Sequence, residues 1–241
     1  SLSFSKDQLL QRFQTFEAKT DLRNTAATEF GITYHPSLQL SLFGDRKTLR
    51  SSELNSIIDL PLEKSFGQKV AFRLGVTADI TRYRFKETVE TKNISNDLYY
   101  VTPTLVLKTN NVFLQGGIRP SWDNGNFSML PNVMADISTS DQRFTIQLGW
   151  IGYFDKGSYK RFAGINPWLR RPDSLLNTMV EERYAGFKGS VSNHFFYSAK
   201  VGFQNFKNMP LFVNSPGDGK EFLIRYEPKL EAMQLHTEVE Y

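Results

Sequence analysis

The chain has 241 residues, enough for one sizeable all-β domain, and its 29 basic and 25 acidic residues leave a net charge of +4. The charges are dispersed, without a basic helix or patch, which argues against a nucleic-acid partner. The absence of cysteine excludes a disulfide scaffold, thiolate metal sites and cysteine nucleophiles. No apolar run approaches about 18 residues, which excludes a transmembrane helix.

The first stretch, Lys6 to Phe13, is open between a short helical turn and a loop. From Phe16 the sequence alternates with a period of two. Phe16, Ala18, Thr20 and Leu22 fall on one side, and Glu17, Lys19, Asp21 and Arg23 on the other. A strand sends successive side chains to opposite faces, so this pattern makes a ribbon with one apolar and one polar face. The same alternation predicts a strand over 30–35, with Phe30, Ile32 and Tyr34 on the apolar side, and weaker strands over 38–44 and 54–66. Its clearest run is Val70 to Arg84. There Val70, Phe72, Leu74, Val76, Ala78 and Ile80 oppose Arg73, Gly75, Thr77, Asp79 and Thr81.

Further strands are predicted over 98–108, 112–123 (Arg119 on the polar side), 127–138, 144–150, 178–191, 195–204 (Lys200 on the polar side) and 221–228. The last strand, 232–241, places Met233, Leu235, Thr237, Val239 and Tyr241 opposite Gln234, His236, Glu238 and Glu240. That makes roughly a dozen strands. Asn110-Asn111 and Ser140-Asp141 form tight turns, whereas 45–53, 86–97, 155–178 and 207–220 form long loops. Short turns on one rim and long loops on the other are the habit of outer-membrane barrels.

A soluble β-sandwich also alternates. The run from Val70 is about 15 residues, against a usual soluble strand of about 5–6. Length combined with a polar second face favours a transmembrane barrel, with lipid on one side and a lumen on the other. The 20 Phe, 10 Tyr and 3 Trp fit aromatic girdles at the two interfaces. A mean hydropathy of −0.39 does not oppose this, because only alternate residues of a barrel must be apolar. The fold class expected is therefore an all-β antiparallel transmembrane barrel, complete or partial, forming one domain over 1–241. Ser1 is not an initiator Met and no signal sequence follows it, so a processed chain or a piece of a longer one is expected.

Short phrases give the chain a family likeness. They include Pro61-Leu62-Glu63-Lys64-Ser65-Phe66-Gly67, Leu98-Tyr99-Tyr100 and Arg119-Pro120-Ser121-Trp122-Asp123. Others are Glu182 to Ser190, His194-Phe195-Phe196-Tyr197, Pro210 to Asn214, and the closing Glu238-Val239-Glu240-Tyr241. From about Phe13 to Tyr241 the chain resembles the barrel portion of TonB-dependent-receptor-like outer-membrane proteins of Bacteroidota. The resemblance implies an outer-membrane location, lipid as a partner, and solute transport or an accessory place among envelope proteins. Such transporters hold an N-terminal plug inside about 22 strands. No plug sequence is seen here, and roughly a dozen strands cannot enclose one.

The residues offer little to catalysis, and no enzyme activity, cofactor or metal is expected. His35 lies at a strand end, His236 on the polar face of the last strand, and Ser192-Asn193-His194 in a turn. None has metal-ligand spacing. Glu181 and Glu182 point to opposite faces. Gly116-Gly117 and Gly186 to Gly189 precede no helix and so are not phosphate loops. Asp218 alone does not make a calcium site.

The functional candidates are the charges expected to line the lumen: Glu17, Lys19, Asp21, Arg23, Arg73, Asp79, Arg119, Lys200, Glu238 and Glu240. In a narrow barrel they interlock as a plug. In a wide one they line a pore and set its selectivity. The last strand is expected to pair with the first, around Phe16 to Leu22, because an unpaired edge in lipid leaves backbone groups unsatisfied.

Overall fold

A computed structural model describes residues 12–45, 50–86, 90–191, 194–216, 219 and 221–241. Residues 6–11 of the opening stretch, Ser192, Asn193 and Asp218 lie outside them.

The strands in chain order are β1 (Phe13–Asp21), β2 (Ile32–Tyr34), β3 (Ser37–Asp45), β4 (Ser51–Phe66), β5 (Val70–Lys86), β6 (Thr91–Lys108), β7 (Val112–Asp123), β8 (Asn126–Ser138) and β9 (Phe144–Asp155). A short helix, α1 (Tyr159–Ile165), precedes β10 (Thr178–Val191), β11 (Phe195–Lys207), β12 (Met209–Asn214), β13 (Phe222–Glu227) and β14 (Leu230–Glu240). The main sheet has twelve strands in the order β1-β3-β4-β5-β6-β7-β8-β9-β10-β11-β14, with β2 paired to β4. Its pairings are antiparallel, which agrees with a meander.

The apolar sets occupy one face and are left uncovered. Leu38, Leu40, Leu42, Ile58, Leu60, Phe72, Val76, Leu105, Leu114, Ile118, Val133, Ile137, Ile146 and Leu148 are all exposed. A sandwich would bury this face in its core; an apolar band of this extent fits a lipid surround. At one end of the band, Tyr99 pairs with Trp122, and Trp122 with Phe127. Near the other, the Phe187 ring lies 5.9 Å from Phe144 and 6.3 Å from Tyr197.

β4, β5 and β6 hold 16, 17 and 18 residues, well beyond the roughly 9–11 that cross a bilayer. In their far ends the alternation inverts. Above Ile80, the face that carried Phe72 and Val76 carries Arg82, Arg84 and Lys86. The opposite face carries Tyr83 and Phe85, which are buried. That opposite, inner face packs against α1. Phe43, Tyr83 and Phe85 join Tyr159, Phe162, Ala163, Leu169 and Leu175 in one cluster, flanked by Phe212, Phe222 and Ile224. Beyond the membrane the strands meet water outside and a folded loop inside, so the preferred faces exchange.

Several expectations are corrected. The stretch 86–97 is mostly strand, because β6 begins at Thr91. Backbone pairing with β5 holds it, with Thr91, Lys92 and Asn93 exposed and Asn96 turned inward and buried. The stretch 221–228 is no wall strand: β13 pairs with β12 in a separate two-stranded sheet inside the expected loop. The predicted strand at 30–35 shortens to β2. Connection lengths do not strictly sort by rim. Asn124 and Gly125, at φ 49° and 84°, make a two-residue turn of the kind that needs two positive φ values, on the same rim as the long 156–177 connection. β1 and β14 are not paired to each other. Among the described residues β1 pairs with β3 and β14 with β11, so the sheet is an open arc of barrel wall.

Candidate functional site

The inner face carries a cap at the loop end and a concavity below it. The cap is the segment 156–177. Its helix begins at Ser158, whose side chain accepts from the Arg161 N–H at 3.1 Å. The wall supplies further caps. The Tyr159 N–H donates to Glu53 Oε2 at 2.6 Å, and the Lys160 N–H to Glu53 Oε1 at 3.4 Å. One carboxylate on β4 thus takes two of the helix's unpaired amides. The Tyr159 hydroxyl donates to Asp45 Oδ2 at 2.8 Å. Burial, with Asp45 beside it, pushes this phenol above its ordinary range. Lys160 reaches Ser41 Oγ at 2.9 Å and pairs with Glu17.

The neck of the cap is a buried amide network. Asn96 and Asn177 are both fully buried. Asn177 Oδ1 also accepts from the Gly157 N–H at 3.0 Å, and its Nδ2 donates to Asp123 at 2.7 Å. Lys156 donates to the backbone carbonyls of Asp79 at 2.9 Å and Asn96 at 2.7 Å. Its ammonium is 3.5 Å from the Asp79 carboxylate. Burial holds this lysine below its usual range, and Asp79 opposes that shift.

The concavity has a volume near 1130 Å³. It gathers Arg23, Arg73 and Arg119 with Tyr34, Tyr100 and Tyr153. Arg73 is tied to Glu63 at 2.5 Å. Arg119 donates to the Gly152 carbonyl at 3.0 Å and to Thr102 at 3.4 Å, and lies 5.5 Å from the Tyr100 ring.

The other sequence candidates are dispersed. Lys19 sits opposite Gln39 and Asp21 opposite Ser37; Asp21 also meets His35 at 2.8 Å. Arg23 lies beyond the end of β1. Asp79 accepts from Asn55 at 2.6 Å. Lys200 pairs with Glu182 at 2.9 Å and lies 3.8 Å from the Tyr184 ring centre. Glu238 and Glu240 share a separate hollow of about 410 Å³ with Arg143 and Lys188. Ion pairs join five of the ten candidates, Glu17, Asp21, Arg73, Asp79 and Lys200, to residues outside that set: Lys160, His35, Glu63, Lys156 and Glu182. For Glu63 and Glu182 the signal was available, since both fall on the polar side of their strands. Lys156 and Lys160 come from a loop whose inward fold has no period to read. No group of three or more His, Asp or Glu side chains among the described residues could hold a metal ion.

No family model matches the sequence, and no curated protein matches it. Solved structures do. The Escherichia coli outer membrane transporter YddB superposes with a TM-score of 0.66 at 13% identity, over 94% of this chain and 39% of its own. The Pseudomonas aeruginosa siderophore receptor PirA gives 0.65 at 13%, over 95% and 44%. The ferric enterobactin receptor PfeA gives 0.66 at 9%, over 94% and 41%. The chain spans about two fifths of these proteins. Its fold is that of an outer-membrane β-barrel wall.

Proposed function

We propose that this chain forms part of the wall of a bacterial outer-membrane barrel that handles a solute, of the TonB-dependent-receptor-like type. The observation that carries the proposal is the division of one sheet. Its outer face is apolar and uncovered, while its inner face holds ionic groups around a concavity of about 1130 Å³. An open arc of twelve strands is about half of the 22 that surround a plugged lumen, in line with the share of the neighbours that it covers. On this reading Arg73 and Arg119 line a wet lumen, as do Glu17, Lys19, Asp21, Arg23, Asp79, Lys200, Glu238 and Glu240. Fixed charges there select among solutes. The resemblance of its short phrases to Bacteroidota barrels is in line with the same type.

A second reading is a non-transporting barrel of an envelope complex, with 155–178 and 207–220 as contact surfaces. The firm seating of the cap over the concavity favours it. Conductance across planar bilayers and swelling of solute-loaded liposomes, made with the full-length protein, test the first reading. Passage of a solute supports it. Recovery in the outer membrane with stoichiometric protein partners, and no passage, overturns it in favour of the second.

A further inference from the structure

A hollow with a volume near 1240 Å³ lies on the outer face of the wall. The inner side at this level is filled by Phe43, Tyr83 and Tyr159, all buried, so the space opens outward. Register explains its shape. One row across the sheet runs Phe16, Leu42, Leu54, Arg82, and the next runs Gln14, Gly44, Ser52, Arg84. Beyond them the Lys86 N–H donates to the Arg50 carbonyl at 3.3 Å, placing these two residues side by side. Gly44 and Ser52 pair at the middle and carry almost no side chain, which makes the depression.

The lining is divided. On the β1, β3 and β4 side lie Phe16, Leu42 and Leu54, all exposed and continuous with the apolar band. On the β4 and β5 side lie Arg50, Arg82, Arg84 and Lys86. Arg82 is neutralised by Asp97. Arg84 donates to a neutral group, Asn93 Oδ1, at 2.9 Å. The hollow therefore offers cations at the boundary where the outer face turns polar, directly beside apolar side chains that point into the membrane level. Successive outward residues on a strand are about 6.6–6.8 Å apart, so Arg84 and Lys86 can grip neighbouring phosphate oxygens.

We infer that this hollow binds a lipid with a phosphorylated headgroup in the leaflet on the long-loop side. Its phosphate meets Arg50, Arg84 and Lys86, and its acyl chains lie along Phe16, Leu42 and Leu54. A free anion satisfies the cations but leaves the apolar half unused. The assignment rests on the membrane-barrel reading and on neither function class.

The test uses the full-length protein in phosphatidylcholine vesicles containing either bisphosphorylated lipid A or its dephosphorylated form. Lipid kept through detergent extraction is measured by mass spectrometry. The wild type is expected to keep the phosphorylated lipid and to lose the other. The triple variant Arg50→Gln, Arg84→Gln, Lys86→Gln is expected to keep about tenfold less or lower still. Lys207→Gln, an outward cation on β11 away from the hollow, keeps as much as wild type. Equal retention by the triple variant, or of the dephosphorylated lipid, overturns the site. Displacement by inorganic phosphate together with indifference to the acyl chains assigns the hollow to a free anion and overturns the lipid. Failure to enter either vesicle, seen as no shift between heated and unheated gel samples, counts against the barrel reading. Insertion with equal retention counts against this site alone.

Discussion

Asn96 and Asn177 face each other amide to amide, each donating to the other at 2.8 Å. They lie 81 residues apart in sequence, on β6 and just before β10. Together they lock both ends of the cap, because Asn177 also takes the Gly157 N–H. Substituting Asn177→Ala orphans the buried Gly157 N–H and takes one partner each from Asn96, which keeps the Gly157 carbonyl and Asn124, and from half-buried Asp123, which keeps Asn124. The orphaned amide alone costs about 1–3 kcal/mol. The expected outcome is a cap that opens while the wall stays folded. Limited proteolysis should cut 156–177 much faster, and the heat-dependent gel shift should persist.

The cap should also respond to alkali. Tyr159 has a folded pKa raised by burial and by Asp45. A phenol whose proton is held more tightly in the folded state contributes stability that is fully present below the unfolded value near 10. That contribution is lost as pH rises through the folded value. Cap release, followed by proteolysis of 156–177, should therefore accelerate above about pH 10. Tyr159→Phe should flatten that part of the profile at a cost of about 1 kcal/mol for the lost bond to Asp45. An unchanged profile in the variant assigns the alkaline transition to another group.

The outer and inner faces of β7 make opposite predictions for the same substitution. Ile118 points outward and is exposed; Gln115 points inward and donates to Asn132 at 3.1 Å. Ile118→Arg should cost about 2–4 kcal/mol when the barrel folds into vesicles, as lipid-facing arginines do near the midplane. Gln115→Arg should cost well under half of that. Denaturant titration in the vesicles measures both, and equal costs would place the lipid elsewhere.

The alternation made the wall legible from sequence wherever lipid demands apolar side chains. Val70 to Ile80 and Val112 to Trp122 are cases in which one face must be greasy and the other wet. Legibility stopped where that demand stops. At Arg82, Tyr83, Arg84 and Phe85 the strand continues but the faces exchange, because water has replaced lipid outside and α1 has replaced the lumen inside. Thr91 to Asp97 looked like loop because no apolar face is needed there. Leu223 and Ile224 looked like wall because a two-residue period does not say which sheet a strand joins. The candidate charges were found by the same period. Their partners on 156–177 were not, since that loop folds inward over distances no local pattern encodes.

Two glycines test whether the neck of the cap is set by backbone closeness or by the amide network alone. A Cβ at Gly157 would meet the Leu176 carbonyl oxygen at 2.1 Å and its carbon at 3.0 Å. Neither atom can move without displacing the strand entering β10. A Cβ at Gly149 would lie 2.2 Å from a ring carbon of Tyr184 and 2.7 Å from its hydroxyl, but these are the far end of a side chain that can swing. Gly157→Ala should therefore open the cap as Asn177→Ala does, with proteolysis at the same bonds, although it removes no side-chain hydrogen bond. Gly149→Ala should leave the cap closed and shift only the Tyr184 ring, loosening its contact with Lys200 at 3.8 Å at a cost of about 1 kcal/mol. Proteolysis of 156–177 in the two variants separates them. A closed cap in Gly157→Ala means that the neck has slack, and that the asparagines alone hold it.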